Sequence, residues 1–139
     1  MKILKKILFI CLFFLLIYSS LYSQDEEKVK YIFNQIEKGL NNSIVSEFSQ
    51  YFFNDTYISL VNGITGYYTA NQSFYILQDF LSLYVPFKFT FSNISTDINS
   101  PFVTGSLKYD YKGVRSTARV FISLKAFGDN WHITQITIK

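Results

Sequence analysis

The sequence predicts an α+β domain in which helices pack on one face of a curved antiparallel sheet. Apolar residues recur at helical spacing in the first half of the chain, and they alternate with polar residues along most of the second half. Strict alternation is typical of a sheet that is covered on one side only. We therefore expect one sheet face to meet the helices and the other to meet solvent.

The first 23 residues have the organisation of a secretory signal peptide. Three lysines precede an uncharged apolar run over residues 7–17, and a short polar stretch follows. The run is shorter than the roughly 20 residues that a membrane-spanning helix needs. We therefore expect cleavage after Ser23, export to the periplasm or out of the cell, and no stable membrane span in the mature chain. Residues 24–139 would then form a single domain.

Cleavage at that position would change both the charge and the cysteine content. The precursor has thirteen basic and ten acidic residues, and three of the basic residues lie in the signal. The mature chain would be neutral, which gives no support for nucleic-acid binding. Cys11 is the single cysteine and lies in the signal, so the mature chain would have no disulfide. With one histidine and no acidic cluster beyond residues 25–27, the sequence predicts no metal and no cofactor.

Two helices are predicted at the start of the mature chain. Apolar residues between Asp25 and Leu40 recur at helical spacing, and Gly39 with the asparagines after it should end this helix. A second, shorter helix is predicted over residues 43–53. Three of its apolar residues would face inward: Ile44, Phe48 and Phe52.

A third helix is predicted over residues 70–84. Thr69 and Gln72 have the spacing of a capping box at its start, and Pro86 ends it. Its broad apolar face should pack against the sheet, while Asp79 falls on the opposite, polar face.

Strands are predicted on both sides of the third helix. Residues 56–63 and 64–68 would form a short pair joined at an Asn-Gly turn. Four longer strands would follow as an antiparallel meander with a period of two. In the first of these, Phe87, Phe89 and Phe91 would share one face.

A set of positions from the strand before the third helix to the last strand carries a resemblance to a known family. These positions are Tyr68, Gln72, Asp79, Phe80, Pro86, Phe87, Gly105, Arg119, Val120, Ile133, Ile136 and Ile138. With the order of elements, they resemble the nuclear transport factor 2-like superfamily, a cystatin-like cone. The resemblance is closer to one bacterial branch of small exported proteins of unknown function. It implies about three helices on a curved, mainly antiparallel sheet, over nearly all of the mature chain. The family tends to carry a histidine in the strand after the proline, which this sequence lacks, so no role of that histidine is transferred.

Two arginines and a tyrosine are candidates for binding a ligand. Arg115 and Arg119 lie four apart on one predicted strand, so both point to one face and could grip a carboxylate or phosphate. The alternative is that they pair with an acid such as Asp110. Tyr84 lies on the apolar face of the third helix, so its hydroxyl would enter the interior and need a partner. It could mark a small pocket, or its hydroxyl could reach the open mouth of the cone.

The single histidine, His132, is the fourth candidate. It is predicted to share a strand face with Ile136 and Ile138. A general base needs a partner that orients it, and no residue nearby in the sequence identifies one. The sequence therefore favours a structural or exposed histidine over a catalytic one.

Three functions are compatible with these features. The first, which we take as the prediction, is a non-enzymatic exported binding module with a small apolar or amphipathic ligand in the cone. The second, implied by the superfamily resemblance, is an isomerase- or dehydratase-like enzyme that uses Tyr84 with Asp79 or His132. The sequence contains no catalytic motif, so no catalytic residue is assigned. The third is an envelope protein-interaction or structural role, with a homodimer formed through the outer sheet face. Four aromatic residues could supply that surface: Phe121, Phe127, Tyr109 and Tyr111.

Overall fold

Two α-helices and six strands make up the fold. The structure is a computed structural model that describes residues 1–139, apart from the side chain of Lys2. The helices are α1 (Lys2–Asn42) and α2 (Ala70–Leu83). The strands are β1 (Phe52–Leu60), β2 (Thr65–Tyr68), β3 (Val85–Ser95), β4 (Phe102–Tyr111), β5 (Val114–Phe127) and β6 (Asn130–Ile138).

The six strands form one sheet in the order β2–β1–β6–β5–β4–β3. The predicted meander is confirmed, because β3, β4, β5 and β6 pair in sequence and antiparallel. The short β1–β2 pair is confirmed as well. What the sequence did not indicate is that β1 joins β6 in parallel, which makes the sheet mixed. We call the sheet face toward the helices the inner face and the opposite one the outer face.

The helix α1 is longer than predicted. It begins at Lys2 instead of Asp25, so the apolar segment and the first domain helix are continuous. Residues 3–24 are all exposed, and the core begins at Val29. By length and composition α1 contains a stretch apolar enough to cross a membrane, and a signal sequence at this position has the same properties.

The second predicted helix is wrong, and the helix count is two instead of about three. Ser43 ends α1 in the left-handed region with a φ of 59°, and Ile44 is extended. Two 3₁₀ turns follow, Val45–Glu47 and Ser49–Tyr51. Because the chain leaves the helical path at Ser43, Ile44 turns outward and is exposed instead of facing the core.

Phe48 and Phe52 are buried as predicted, and Gly39 explains how the first of them fits. A Cβ atom on Gly39 would lie 2.5 Å from the ring of Phe48. The glycine therefore lies inside α1, three residues before its end, and lets that ring pack directly on the α1 backbone.

The helix α2 agrees closely with its prediction. The Thr69 hydroxyl accepts a hydrogen bond from the Gln72 amide at 3.3 Å, and the Gln72 side chain accepts one from the Thr69 amide at 3.0 Å. Leu77 and Phe80 are buried, whereas Asp79 is exposed.

The helix α1 runs antiparallel to β3 across the inner face. Near its end, the side chain of Asn41 accepts from the Phe89 amide at 2.8 Å and donates to the Phe89 carbonyl at 3.3 Å. Near the start of the domain, Glu26 accepts from the Thr96 hydroxyl at 2.9 Å. The end of α1 therefore lies beside the start of β3, at the opposite end of the domain from Glu26.

A bulge in β6 changes which residues face the core. Thr134 is an extra residue between the pairs that β6 makes with β5. The alternation is inverted there, so Ile133 and Ile136 are both buried on the inner face. His132 consequently lies on the outer face. The prediction that it shares a face with Ile136 and Ile138 is wrong.

A similar irregularity affects the start of β3. The register shifts between Pro86 and Lys88, which leaves Phe87 in a bulge. Phe89 is buried and Phe91 packs against the core, but Phe87 is 49% exposed. The prediction that Phe87 shares the face of Phe89 and Phe91 is therefore wrong.

Candidate functional site

Tyr84 packs inside a group of aromatic rings on the inner face. Its ring stacks on Phe80 with centroids 4.6 Å apart and on Tyr111 at 4.3 Å. The edge of Tyr109 approaches at 5.5 Å. Loss of solvent around the phenol, together with the nearby Tyr111, raises the pKa of Tyr84 above its usual value. Tyr109 and Tyr111 therefore belong to the inner face, and the prediction that they supply an outer surface is wrong.

Arg115 and Arg119 share the outer face, as their spacing predicts. Arg115 lies opposite Asp110 across β4 and β5, and its guanidinium sits 5.0 Å from the ring centroid of Phe87. Apart from the undescribed Lys2 side chain, the four ion pairs within 4.0 Å do not include either arginine. Asp110 instead accepts a hydrogen bond from the Gly113 amide at 2.9 Å. The alternative of a salt bridge to Asp110 is therefore not found.

His132 packs among aromatic rings at the other end of the outer face. Its ring lies 5.7 Å from Phe53 and 5.9 Å from Phe127, centroid to centroid. Its Nδ1 atom is buried and has no hydrogen-bond partner among the described residues. Most buried polar atoms in folded proteins have a hydrogen-bond partner, so this nitrogen is an exception.

The structure does not bring Tyr84 and His132 together. Their positions can be compared along β5. Tyr84 contacts Tyr109, which pairs with Ser116 on this strand. His132 pairs with Lys125 on the same strand. Nine residues of strand separate these partners, which is about 30 Å at about 3.3 Å per residue. Tyr84 and His132 therefore lie at opposite ends of the sheet. The other suggested partner, Asp79, is exposed on α2.

The groove that includes His132 has a volume of about 850 Å³. It lies between the α1 segment that starts at Gln24, the turn Ser49–Tyr51 and the β5–β6 hairpin. Aromatic and polar residues both line it, among them Tyr31, Tyr51, Trp131, Glu27, Gln50 and His132. Burial and the neighbouring Tyr31 raise the pKa of Tyr51. Both tyrosines line the groove.

Sequence reasoning found His132 but missed the tyrosines of this groove. Tyr31 and Tyr51 come from separate elements, and no local spacing connects them. The sequence did carry one signal, because Tyr31 lies outside the apolar stripe of its helix. In the structure its side chain is 56% exposed. Among the side chains that the structure describes, no group of three could hold a metal ion.

The chain has the nuclear transport factor 2-like, or cystatin-like, fold. A protein with a cystatin-like fold from Nostoc punctiforme is 15% identical, with a TM-score of 0.58 over 83% of this chain and 90% of its own. A nuclear transport factor 2-like protein from Cytophaga hutchinsonii is 14% identical, with a TM-score of 0.58 over 81% of this chain and 95% of its own. These likenesses confirm the fold that the sequence predicts.

The chain belongs to the DUF4783 family, a domain of unknown function, which it matches over residues 33–139. A family protein from Bacteroides uniformis is 16% identical, with a TM-score of 0.68 over 76% of this chain and 94% of its own. Another from Bacteroides ovatus is 19% identical, with a TM-score of 0.64 over 74% and 89%. Among curated proteins, none matches this chain.

Proposed function

We propose that this protein is an exported, non-enzymatic binding module whose ligand site is the groove between α1 and the β5–β6 hairpin. The carrying observation is a groove of about 850 Å³ whose wall combines aromatic and polar side chains, His132 among them. A concave site of this size with a few converging polar groups is the usual form of a small-molecule site. The fold alone is no guide, since one fold hosts many functions.

The composition of the groove indicates the chemistry of the ligand. Tyr31, Tyr51 and Trp131 would contact an apolar face, while Glu27 and His132 would offer hydrogen bonds. An amphipathic small molecule fits this set better than a purely apolar one. We place the ligand here instead of beside Tyr84, because aromatic rings already pack on both sides of Tyr84.

The proposed site is compatible with removal of the signal. The first groove residue is Gln24, so cleavage after Ser23 would leave every lining residue in the mature chain. The site would then lie at the new amino terminus of the exported protein.

Native mass spectrometry of the mature protein, purified from its own cell envelope, tests this proposal. We expect a bound small molecule that is lost in Tyr31→Ala, because the exposed phenol forms part of the groove wall. Tyr75→Ala is a matched control, since Tyr75 is 58% exposed and Tyr31 is 56% exposed, but Tyr75 lies on α2. A ligand-free mass, or loss of the ligand in both variants, would count against the groove.

The outer sheet face supports a second candidate, a homodimer. Phe102 stacks on Phe121 with centroids 5.8 Å apart, and Phe53 stacks on Phe127 at 4.1 Å. Aromatic side chains on an open sheet face favour association with a second sheet. Superfamily members often pair in this way, which is an argument by analogy.

Size-exclusion chromatography with light scattering tests the dimer. We expect Phe121→Asp to yield monomers, because a charge would be buried in the interface. Thr117→Asp, on the outer face of the same strand and opposite Lys108, should leave the dimer intact. A mature protein that is monomeric at high concentration would refute this candidate.

A further inference from the structure

One corner of the sheet exposes large apolar side chains. At this corner β3 begins and β4 turns into β5, with Val85 paired to Asp110 and Tyr111 paired to Val114. The exposed apolar residues are Leu83 at 60%, Val85 at 48%, Phe87 at 49% and Val114 at 63%. We call these four residues and the cations of the neighbouring segments the tip.

Five cations lie on segments 85–88, 108–111 and 114–119 of β3, β4 and β5 and in the β4–β5 turn: Lys88, Lys108, Lys112, Arg115 and Arg119. Lys88 and Lys108 lie directly opposite each other on β3 and β4. Like charges in such a pair are destabilising. Leaving aside the undescribed Lys2 side chain, no ion pair within 4.0 Å involves any of the five. Asp110 lies opposite Arg115 and is the one acid on these paired segments, so cations predominate there.

We propose that the tip docks on an anionic lipid bilayer. The apolar side chains would enter the interfacial region, and the lysines and arginines would contact lipid phosphates. This places Arg115 and Arg119 in an anion-binding role. The mature chain is neutral as a whole under the predicted cleavage, so the attraction would come from the tip and would orient the domain on the surface.

A second copy of the chain is a poor occupant of the tip. A two-fold interface brings the same patch of both subunits together, and here that would place two groups of cations in contact. The edge strand β3 also resists pairing with another edge, because it carries Lys88 and register shifts near Phe87 and Ser92. The proposed dimer would form through the aromatic side chains of the outer face, Phe53, Phe102, Phe121 and Phe127, and would leave the tip free.

A bilayer suits the shape of the tip better than a protein ligand does. Four well-formed grooves of the described structure are each lined by residues outside the tip. Separate exposed apolar side chains can enter a fluid lipid layer without a matching cavity. A structured protein partner would instead require a complementary surface.

The tip lies far from the start of the domain. Since α1 runs antiparallel to β3, Gln24 and Val85 are at opposite ends. An apolar helix left uncleaved and inserted in a membrane would hold the tip away from that membrane. The proposal therefore concerns the chain that starts at Gln24. This chain keeps the whole core, because the first core residue is Val29.

Vesicle co-sedimentation of the chain from Gln24 tests the proposal. We expect binding to vesicles of phosphatidylcholine with phosphatidylglycerol, weakening with added salt, and little binding to phosphatidylcholine alone. Lys88→Gln with Lys108→Gln should weaken binding roughly 30-fold. Lys28→Gln with Lys125→Gln removes the same charge away from the tip and should change binding little.

Fluorescence of Phe87→Trp shows whether the tip itself enters the bilayer. The natural Trp131 is buried, and its fluorescence is measured in the unsubstituted protein and subtracted as background. We expect a blue shift of the new tryptophan on anionic vesicles, and none for Tyr75→Trp on the exposed face of α2. The proposal is overturned by the absence of vesicle binding, by equal binding of both lysine variants, or by vesicle binding without a blue shift at position 87. Binding only to an acidic protein would overturn it as well.

Discussion

Tyr84 shows how a single residue can look functional in the sequence and serve packing in the structure. Tyr84 directly follows α2, and helical spacing correctly predicts that its ring packs against the core. The stacking on Tyr111 at 4.3 Å depends on a strand that begins almost twenty positions later. No local pattern in the sequence contains that contact, so the sequence could predict burial of the ring but not what surrounds it.

We predict that Tyr84→Phe reduces the loss of stability at alkaline pH. The pKa of Tyr84 is raised in the folded protein, so the unfolded chain releases this proton first as the pH rises. The contribution to the free energy of unfolding is therefore complete below pH about 10 and is lost above it. The variant lacks this ionisation. Urea unfolding measured at a series of pH values through that range checks the prediction.

Tyr75→Phe is the matched control for this measurement, because Tyr75 is exposed on α2. It should keep the alkaline decline of the unsubstituted protein. Some decline should remain in Tyr84→Phe as well, since the pKa of Tyr51 is also raised. Identical curves for all three proteins would contradict the role given to Tyr84.

His132 marks the limit of residue-scale prediction. The sequence identified it as the single histidine but placed it on the wrong face. The cause lies in the bulge at Thr134, which no glycine or proline indicates. The tyrosines of the groove were missed for another reason: they converge only when α1, a 3₁₀ turn and the sheet come together.

Among the elements, those specified by local signals were predicted best. The helix α2 has a capping box at its start and a proline shortly after its end, and its bounds differ by one residue from the prediction. The meander of β3 to β6 follows from alternation and short turns. The parallel pairing of β1 with β6 joins residues more than seventy positions apart, and residues 43–53 lack a signal for 3₁₀ turns.

At the scale of the strand, we predict that deletion of Thr134 is tolerated. Thr134 is the extra residue of the β6 bulge, so its removal restores strict alternation and leaves Ile133 and Ile136 on the inner face. The deletion should cost about 1–3 kcal/mol from lost local fit. Urea unfolding followed by the fluorescence of Trp131 measures this change.

Deletion of Ser123 in the facing strand provides the contrast. Ser123 pairs with Gln135 and has no bulge to absorb its loss. Its removal would turn one side of β5 to the wrong face, which exposes buried residues such as Leu124. We expect this variant not to fold. Equal stability of the two deletions would show that the bulge does not set the register.

On the scale of the whole molecule, the two proposed surfaces lie at opposite ends of the domain. The groove is formed beside Gln24 and the β5–β6 hairpin, while the tip is formed by the start of β3 and the β4–β5 hairpin. A domain docked through its tip would therefore present the groove away from the bilayer. A small molecule could then reach the groove from the solvent.

The position of the groove also makes the processing site testable. We predict that the protein is exported and that its mature form begins at Gln24, because residues 3–23 are exposed and contribute nothing to the core. The intact mass of the protein recovered from the envelope fraction checks this.

A chain that starts at Gln24 should unfold cooperatively in urea. A chain that starts at Asn34 should not fold, since it lacks the buried Val29, Ile32 and Phe33. Recovery of the whole chain from the membrane fraction would instead identify residues 1–23 as an anchor, with the tip held away from that membrane.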